Sequence, residues 1–268
     1  MKICAIGDPH GDIEKIRKIP LSNVDLILIT GDVGKADFAS NKHFENLKRK
    51  KQGLKELEHS TKDMKIAWME IFNSSLEIWK YTSKFVSTYS ILGNVGMSMI
   101  YDSNVRKEEK KYCMKLPSLR QNMNKIKNFY FVRNRMRNIN GLRIGFLEYF
   151  QDICWYTEYN NHDKKRIEKA KKETDKAKKI LKNFKNLDVL VCHQPPYGFL
   201  DKTNHPSAPK EWKGKHAGSK VILDYIKREQ PKYVFCGHIH EGEGKTKIGK
   251  TEIYNLGIAG HKIIELNN

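Results

Sequence analysis

Nowhere in these 268 residues does an apolar run approach the roughly 20 residues a membrane-spanning helix needs. The amino-terminal apolar stretch stops at Asp8 without a small-residue cleavage site, so no secretory signal is expected. Paired cysteines at short spacing are also missing. Cys4, Cys113, Cys154, Cys192 and Cys236 lie far apart, and three of them end or interrupt strand-like runs, where a free thiol behaves as a small hydrophobe. That odd, scattered set argues for a reducing cytoplasm rather than a disulfide framework. No internal repeat and no low-complexity linker breaks the chain, so one domain over residues 1–268 is the simplest account. Neither a Gly-x-Ser-x-Gly elbow nor a Ser–His–Asp ordering supports a serine hydrolase. There is no second DNA-binding module, and no aromatic-basic stacking motif of the RNA-recognition type.

Acidic residues are scarce: 31 Asp and Glu face 50 Lys and Arg, a net charge of +19. Such a field attracts polyanions, whether nucleic acid, nucleotides or an acidic membrane surface. The alternative is a Lys-rich surface that solvates the protein and nothing more. The excess is spread over helices and one irregular stretch, not gathered in a tail.

What the chain does have is five short segments of metal-ligand side chains, each placed just after an apolar run. They are Gly7-Asp8-Pro9-His10, Thr30-Gly31-Asp32, Leu92-Gly93-Asn94, Cys192-His193 and Cys236-Gly237-His238-Ile239-His240. The preceding runs, such as Leu26-Ile27-Leu28-Ile29 and Val189-Leu190-Val191-Cys192, read as buried strands. Loops beyond the carboxyl ends of such strands converge on one crevice in an open α/β sheet. His-x-His after a strand is informative, because alternate residues of an extended chain project to one side. Taken together, the donors predict a metal site of oxygens and imidazoles.

Between the second and third strands, residues 35–87 read as a helical insertion, one long helix or two stacked ones. Leu54, Leu57, Met64, Trp68, Ile71 and Ile78 belong to a stripe stepping by three and four. Residues 95–128 read as irregular and basic. Phe129–Arg133 and Leu142–Tyr149 are expected to pair antiparallel through Asn138-Ile139-Asn140-Gly141. Helices are expected near 12–19, 163–186 and 219–229, and short strands over 246–249, 251–256 and 262–266.

The order Asp-x-His, Gly-Asp, Gly-Asn, His, Gly-His-x-His, running from Asp8 to His240, resembles the calcineurin-like metallophosphoesterase superfamily. The segments around His193-Gln194-Pro195-Pro196-Tyr197-Gly198 and Gly237-His238-Ile239-His240-Glu241-Gly242 look like its small prokaryotic and archaeal phosphohydrolase branch. The resemblance implies an α/β (α+β) fold: two packed mixed β-sheets forming a sandwich flanked by helices, with a dinuclear metal site at one strand edge. It implies one metal on Asp8, His10, Asp32 and His240, a second on Asp32, Asn94, His193 and His238, and Asp32 as the bridge. Mixed His, Asp and Asn ligation suits divalent transition metals, with Mn²⁺ first and Fe, Ni²⁺, Co²⁺ or Zn²⁺ as alternatives, better than Ca²⁺ or Mg²⁺. The implied reaction is hydrolysis of a phosphomonoester or phosphodiester by a metal-bridging hydroxide, with Asn94 helping to position the phosphate.

One position departs from the superfamily. The Asn is usually followed by a His that protonates the leaving group, but here the segment reads Gly93-Asn94-Val95-Gly96. A positioned general acid is worth ~10²–10⁴-fold, so the gap matters. Either the leaving group needs little protonation, or another residue supplies the proton, or the site is a metal-stabilised interaction scaffold without catalysis. His216 is the first candidate donor, ahead of His205, Tyr197 and His162. Glu148 and Glu241 stand near strand exits, where they are either orienting partners of the His ligands or plain structural residues. A phosphorylated small molecule or nucleotide is the expected substrate. The alternative is a nuclease; the basic stretch with Arg106, Lys107, Lys110, Lys111, Arg120, Lys125 and Lys127 would suit a nucleotide or nucleic acid.

Overall fold

The computed structural model describes residues 1–159, 163–206, 208 and 210–266. Its first sheet holds β1 (Lys2–Ile6), β2 (Leu26–Ile29), β3 (Thr88–Ser90), β4 (Phe129–Phe131) and β11 (His261–Glu265), in the order β11-β1-β2-β3-β4. Strands β5 (Arg135–Ile139), β6 (Leu142–Leu147), β7 (Val189–Cys192), β8 (Tyr233–Cys236), β9 (Gly244–Ile248) and β10 (Thr251–Asn255) form the second, ordered β5-β6-β7-β8-β10-β9. Both sheets are mixed. β1 to β4 run parallel, as do β6 to β8 and β10, while β11, β5 and β9 are the antiparallel outer strands.

Strand alternation divides the apolar residues among three layers of packing. Ile3, Ala5, Leu26 and Leu28 point between the sheets, against Ile144, Phe146, Val189 and Phe235 of the second sheet. Their neighbours Cys4, Ile6, Ile27 and Ile29 face outward, under Ile16, Trp68, Phe72 and Trp79. On the far side Leu190, Cys192, Val234 and Cys236 are covered by Leu181, Ile222 and Ile226. Strands buried on both faces need continuous hydrophobic runs, which is why β1, β2, β7 and β8 carry them.

Helices α1 (Ile13–Arg17), α2 (Asp37–Lys51), α3 (Thr61–Thr82), α4 (Asp102–Tyr112) and α5 (Leu119–Met123) lie between the strands of the first sheet in sequence. Helices α6 (Ile153–Tyr159), α7 (Lys164–Lys182) and α8 (Lys220–Glu229) belong with the second. Segment 35–87 thus contains two helices. Its second begins with a capping box, in which Ser60 and Asp63 each accept the other's backbone N–H. No described helix is long and apolar enough to cross a membrane.

Three local expectations fail. Leu54 and Leu57, 49% and 41% exposed, lie in the connection between α2 and α3 and not on a helical stripe. Residues 95–128 are not irregular throughout: α4 and α5 lie there, because Val105, Tyr112, Leu119 and Met123 supply a narrow buried stripe within a highly charged stretch. Phe129–Phe131 does not pair with β6. It runs parallel to β3 in the first sheet, and the hairpin partner of β6 is Arg135–Ile139. The turn itself was legible, since Asn140 and Gly141 take φ of 50° and 87° and so favour a two-residue hairpin. β5 was hidden because an edge strand exposed on both faces can carry Arg135, Arg137 and Asn138 in place of an apolar alternation.

Candidate metal centre

The seven candidate ligands leave the carboxyl ends of five strands. Asp8 and His10 follow β1, Asp32 follows β2, Asn94 follows β3, His193 follows β7, and His238 and His240 follow β8. The structure gathers six of them into two groups, Asp8–His10–His240 and Asp32–His193–His238, with ligand atoms inside each group no more than 4.8 Å apart. Asn94 joins the second group through Oδ1, 3.1 Å from His193 Nε2. Asp32 Oδ2 stands between the groups, 3.4 Å from His193 Nε2 and 3.9 Å from His10 Nε2. His240 Nε2 approaches both Asp8 Oδ2 and His10 Nε2 to 3.3 Å.

The backbone is bent to achieve this. His10, Asp32 and His238 have φ of 44°, 36° and 67°, a left-handed conformation that costs a non-glycine residue about 1–2 kcal/mol. Three such residues among the donors mark a place where function overrides local preference. Gly93 is required by crowding: a Cβ there would lie 2.1 Å from Asp32 Oδ1 and 2.4 Å from His193 Cε1.

Surrounding polar groups aim the donors. Thr30 Oγ1 donates to Asp8 Oδ1 at 2.8 Å, and the His238 N–H donates to Asp8 Oδ2 at 2.6 Å. The Val95 N–H donates to Asp32 Oδ1 at 2.7 Å. His193 Nδ1 lies 3.0 Å from the Thr30 carbonyl, which anchors one ring nitrogen and turns Nε2 toward Asp32 and Asn94. Tyr149 walls the second group, its ring 5.8 Å from that of His193 and 5.3 Å from that of His238.

Electrostatics agree with a ligand set. Burial opposes charge on Asp8 and Asp32, yet the surrounding histidines, His193 foremost with His240 and His10, together outweigh it and hold both carboxyls below their usual range. Burial lowers His10, and it lowers His238 to about 3, leaving both neutral imidazoles fit to bind a cation. His193 is the exception. Burial opposes its charge, but Asp32 and Asp8 push it up to about 9. Two ionised carboxylates, an amide oxygen and four imidazoles converging in this way fit a pair of divalent transition metals.

The other nominated residues lie elsewhere. Nδ1 of His216 is 2.6 Å from Asp201 Oδ1 and its ring lies tilted against that of Tyr197, centroids 5.4 Å apart, outside both donor groups. His205 stacks on Phe44 of α2, with ring centroids 5.4 Å apart. The Tyr197 hydroxyl donates to Glu158. His162 lies outside the described residues. Neither glutamate orients a His ligand: Glu148 pairs with Arg133 and Asn134, and Glu241 accepts the Asn204 N–H. Reading the sequence gave no role to Thr30 or Tyr149. Thr30 stood inside a quoted motif, whereas nothing local distinguishes Tyr149 from any aromatic after a strand.

Comparison with known proteins bears on this arrangement. The family model "Calcineurin-like phosphoesterase" matches residues 1–242. The UPF0046 protein K07C11.7 of Caenorhabditis elegans is 22% identical over 95% of this chain and 69% of its own length. The UPF0046 protein T07D4.2 of the same organism is 40% identical over 26% of this chain, which is 16% of that relative. Metallophosphoesterase domain-containing protein 1 of Homo sapiens is 37% identical over 27% of this chain and 20% of its own. These last two matches therefore cover a small fraction of those relatives. One solved structure superposes with a TM-score of 0.57 over 98% of this chain and 94% of the other, at 16% identity, and so shares the fold.

Proposed function

Because this chain belongs to the calcineurin-like phosphoesterase family, we propose that it hydrolyses phosphomonoesters or phosphodiesters of small molecules or nucleotides at the Asp8–His240 pocket. Asp8, His10 and His240 would hold one divalent cation, His193, His238 and Asn94 the other, and Asp32 both, with Mn²⁺ the first choice. Such cations supply Lewis acidity toward the phosphate oxygens and lower the pKa of water at the site. The observation that carries the reading is the position of Asp32 Oδ2 between His10 and His193. Four buried, unpaired thiols, Cys4, Cys154, Cys192 and Cys236, are compatible with a reducing, cytoplasmic setting.

The chain's own groups do the rest. The Val95 N–H and the Thr30 carbonyl hold Asp32 and His193 in place, and the Asn94 amide is placed to orient the phosphate. Val95 has no side-chain proton to give. His216 is the proposed donor to the leaving oxygen, with Asp201 holding its Nδ1. The experiment is a metal-by-substrate screen with Mn²⁺, Ni²⁺, Fe²⁺, Zn²⁺ and Mg²⁺ against p-nitrophenyl phosphate, its bis ester, cyclic nucleotides and oligonucleotides. Asp32→Ala and His193→Ala serve as blanks. No metal-dependent turnover above those blanks would leave the non-catalytic scaffold as the better reading. His216→Ala should cost ~10²-fold on alkyl phosphates and far less on p-nitrophenyl phosphate, whose leaving group needs little protonation. Equal losses on both would remove His216 as the acid.

A further inference from the structure

The open side of the sandwich, where β4 ends the first sheet and β5 the second, holds a cavity of about 670 Å³. Its charged lining is Arg120, Arg133, Arg135 and Arg137, and no carboxylate contributes. Arg133 is matched by Glu148, but no ion pair engages Arg120, Arg135 or Arg137 among the described residues. Unmatched guanidinium groups around a concavity are what a phosphate-bearing ligand requires.

Aromatic rings stand among these cations. Tyr89 of β3 and Tyr130 of β4 are register partners, and their rings stack 4.7 Å apart at 18°. Tyr89 is anchored from below on Phe146 between the sheets, while Tyr130 is 46% exposed. A large exposed ring held rigid by a second ring is a platform for a nucleobase, not a hydrophobe awaiting burial.

The basic lining also continues. Residues 122–129 form the ridge between this cavity and another of about 600 Å³, whose charged lining is Lys80, Lys84, Lys125 and Lys127, again without a carboxylate. Two cavities lined from the same segment, both cationic, outline a basic track.

We propose that this track binds single-stranded nucleic acid, with Arg135 and Arg137 on its phosphates and Tyr130 stacked on a base. The site is separate from the metal centre and does not depend on phosphoesterase activity. The competing explanation is that Arg135 and Arg137 merely blunt the free edge of β5 against pairing with another chain.

The test is fluorescence anisotropy of the full chain with a labelled oligodeoxythymidylate and oligouridylate of about 16 nucleotides, the upper site size of a single-strand binding module. Binding should weaken linearly in log salt. Arg135→Ala with Arg137→Ala should reduce that slope by about 1.4, at ~0.7 per lost phosphate contact. Tyr130→Ala should lose about 5- to 150-fold in affinity with the slope unchanged, and Tyr130→Phe should keep wild-type affinity. Lys171→Ala with Lys179→Ala, removing equal charge from α7, serves as the control. Circular dichroism melts establish that each variant folds. Absence of binding at low salt overturns the proposal, as do losses at Arg135 and Arg137 no larger than the α7 control. So does a preference for phosphatidylserine vesicles over oligonucleotide through the same residues, or self-association as the only consequence of the double substitution.

Discussion

His193 does two things that pull against each other. Fully buried between Asp8 and Asp32, at 3.6 and 3.4 Å, it is pushed up to about 9 and so is protonated at neutral pH in the metal-free protein. As a ligand it must be neutral. A cation entering the second donor group therefore displaces a proton. The folded value stands above the ordinary 6.5, so the stability His193 lends the metal-free protein is complete below pH 6.5 and lost as pH rises through 9. Metal affinity moves the other way, rising with pH up to about 9, tenfold per unit at most for one proton. Titration calorimetry of Mn²⁺ at pH 7, in two buffers of different ionisation enthalpy, should show about one proton released per protein molecule, at the second donor group. A buffer-independent heat would mean that His193 is already neutral and that the carboxylates do not govern it.

Among the elements, α3 shows how a helix stripe becomes the roof of a sheet. Trp79 is 1% exposed in the core beneath that helix, and its ring meets Phe129 of β4 at 5.0 Å. Its indole N–H is buried without a hydrogen-bond partner among the described residues, so the site values the ring's volume and is penalised for its polarity. Trp79→Ala should cost about 3–5 kcal/mol. Trp79→Phe removes the orphan donor as well as some volume, and urea unfolding should put its cost below about 2 kcal/mol. A phenylalanine cost equal to that of alanine would show that the N–H is satisfied. The same layer shows what a sequence can reveal. Buried strands and the part of the helical stripe from Met64 to Ile78 were readable because periods of two and 3.6 repeat in single-letter order, whereas Leu54 and Leu57 fit the same period yet lie exposed between α2 and α3. Strand exits were readable because the metal donors follow them immediately. β5 and the change of sheet at residues 132–134 were not, since Arg135, Met136 and Arg137 are exposed and only the pairing with β6 makes them a strand. Pairings between distant segments, such as Tyr89 with Tyr130, carry no local signal at all.

For the molecule as a whole, the donors are divided between the two sheets. Asp8, His10, Asp32 and Asn94 come from strands of the first sheet, and His193, His238 and His240 from the second. Each donor group is mixed: His240 joins Asp8 and His10, and His193 and His238 join Asp32. Cations held there would clamp one sheet to the other at the strand exits, the end opposite Met1, whose amino group is capped by the Leu266 carbonyl. Their binding energy then adds to the stability of the entire sandwich and not only to a loop. Mn²⁺ at a hundred times its dissociation constant should add about 2.7 kcal/mol. At ~2–4 °C per kcal/mol for a chain near this size, the melting temperature should rise by about 5–10 °C over the chelator-treated protein. The unfolding should remain one transition, because both layers are held by the same clamp. Asp32→Ala, which removes the group between both sets of donors, should melt at the same temperature with and without Mn²⁺. If Mn²⁺ instead splits the melt into two transitions of which only one rises, the cation sits on one sheet alone and the two halves of the donor set do not act together.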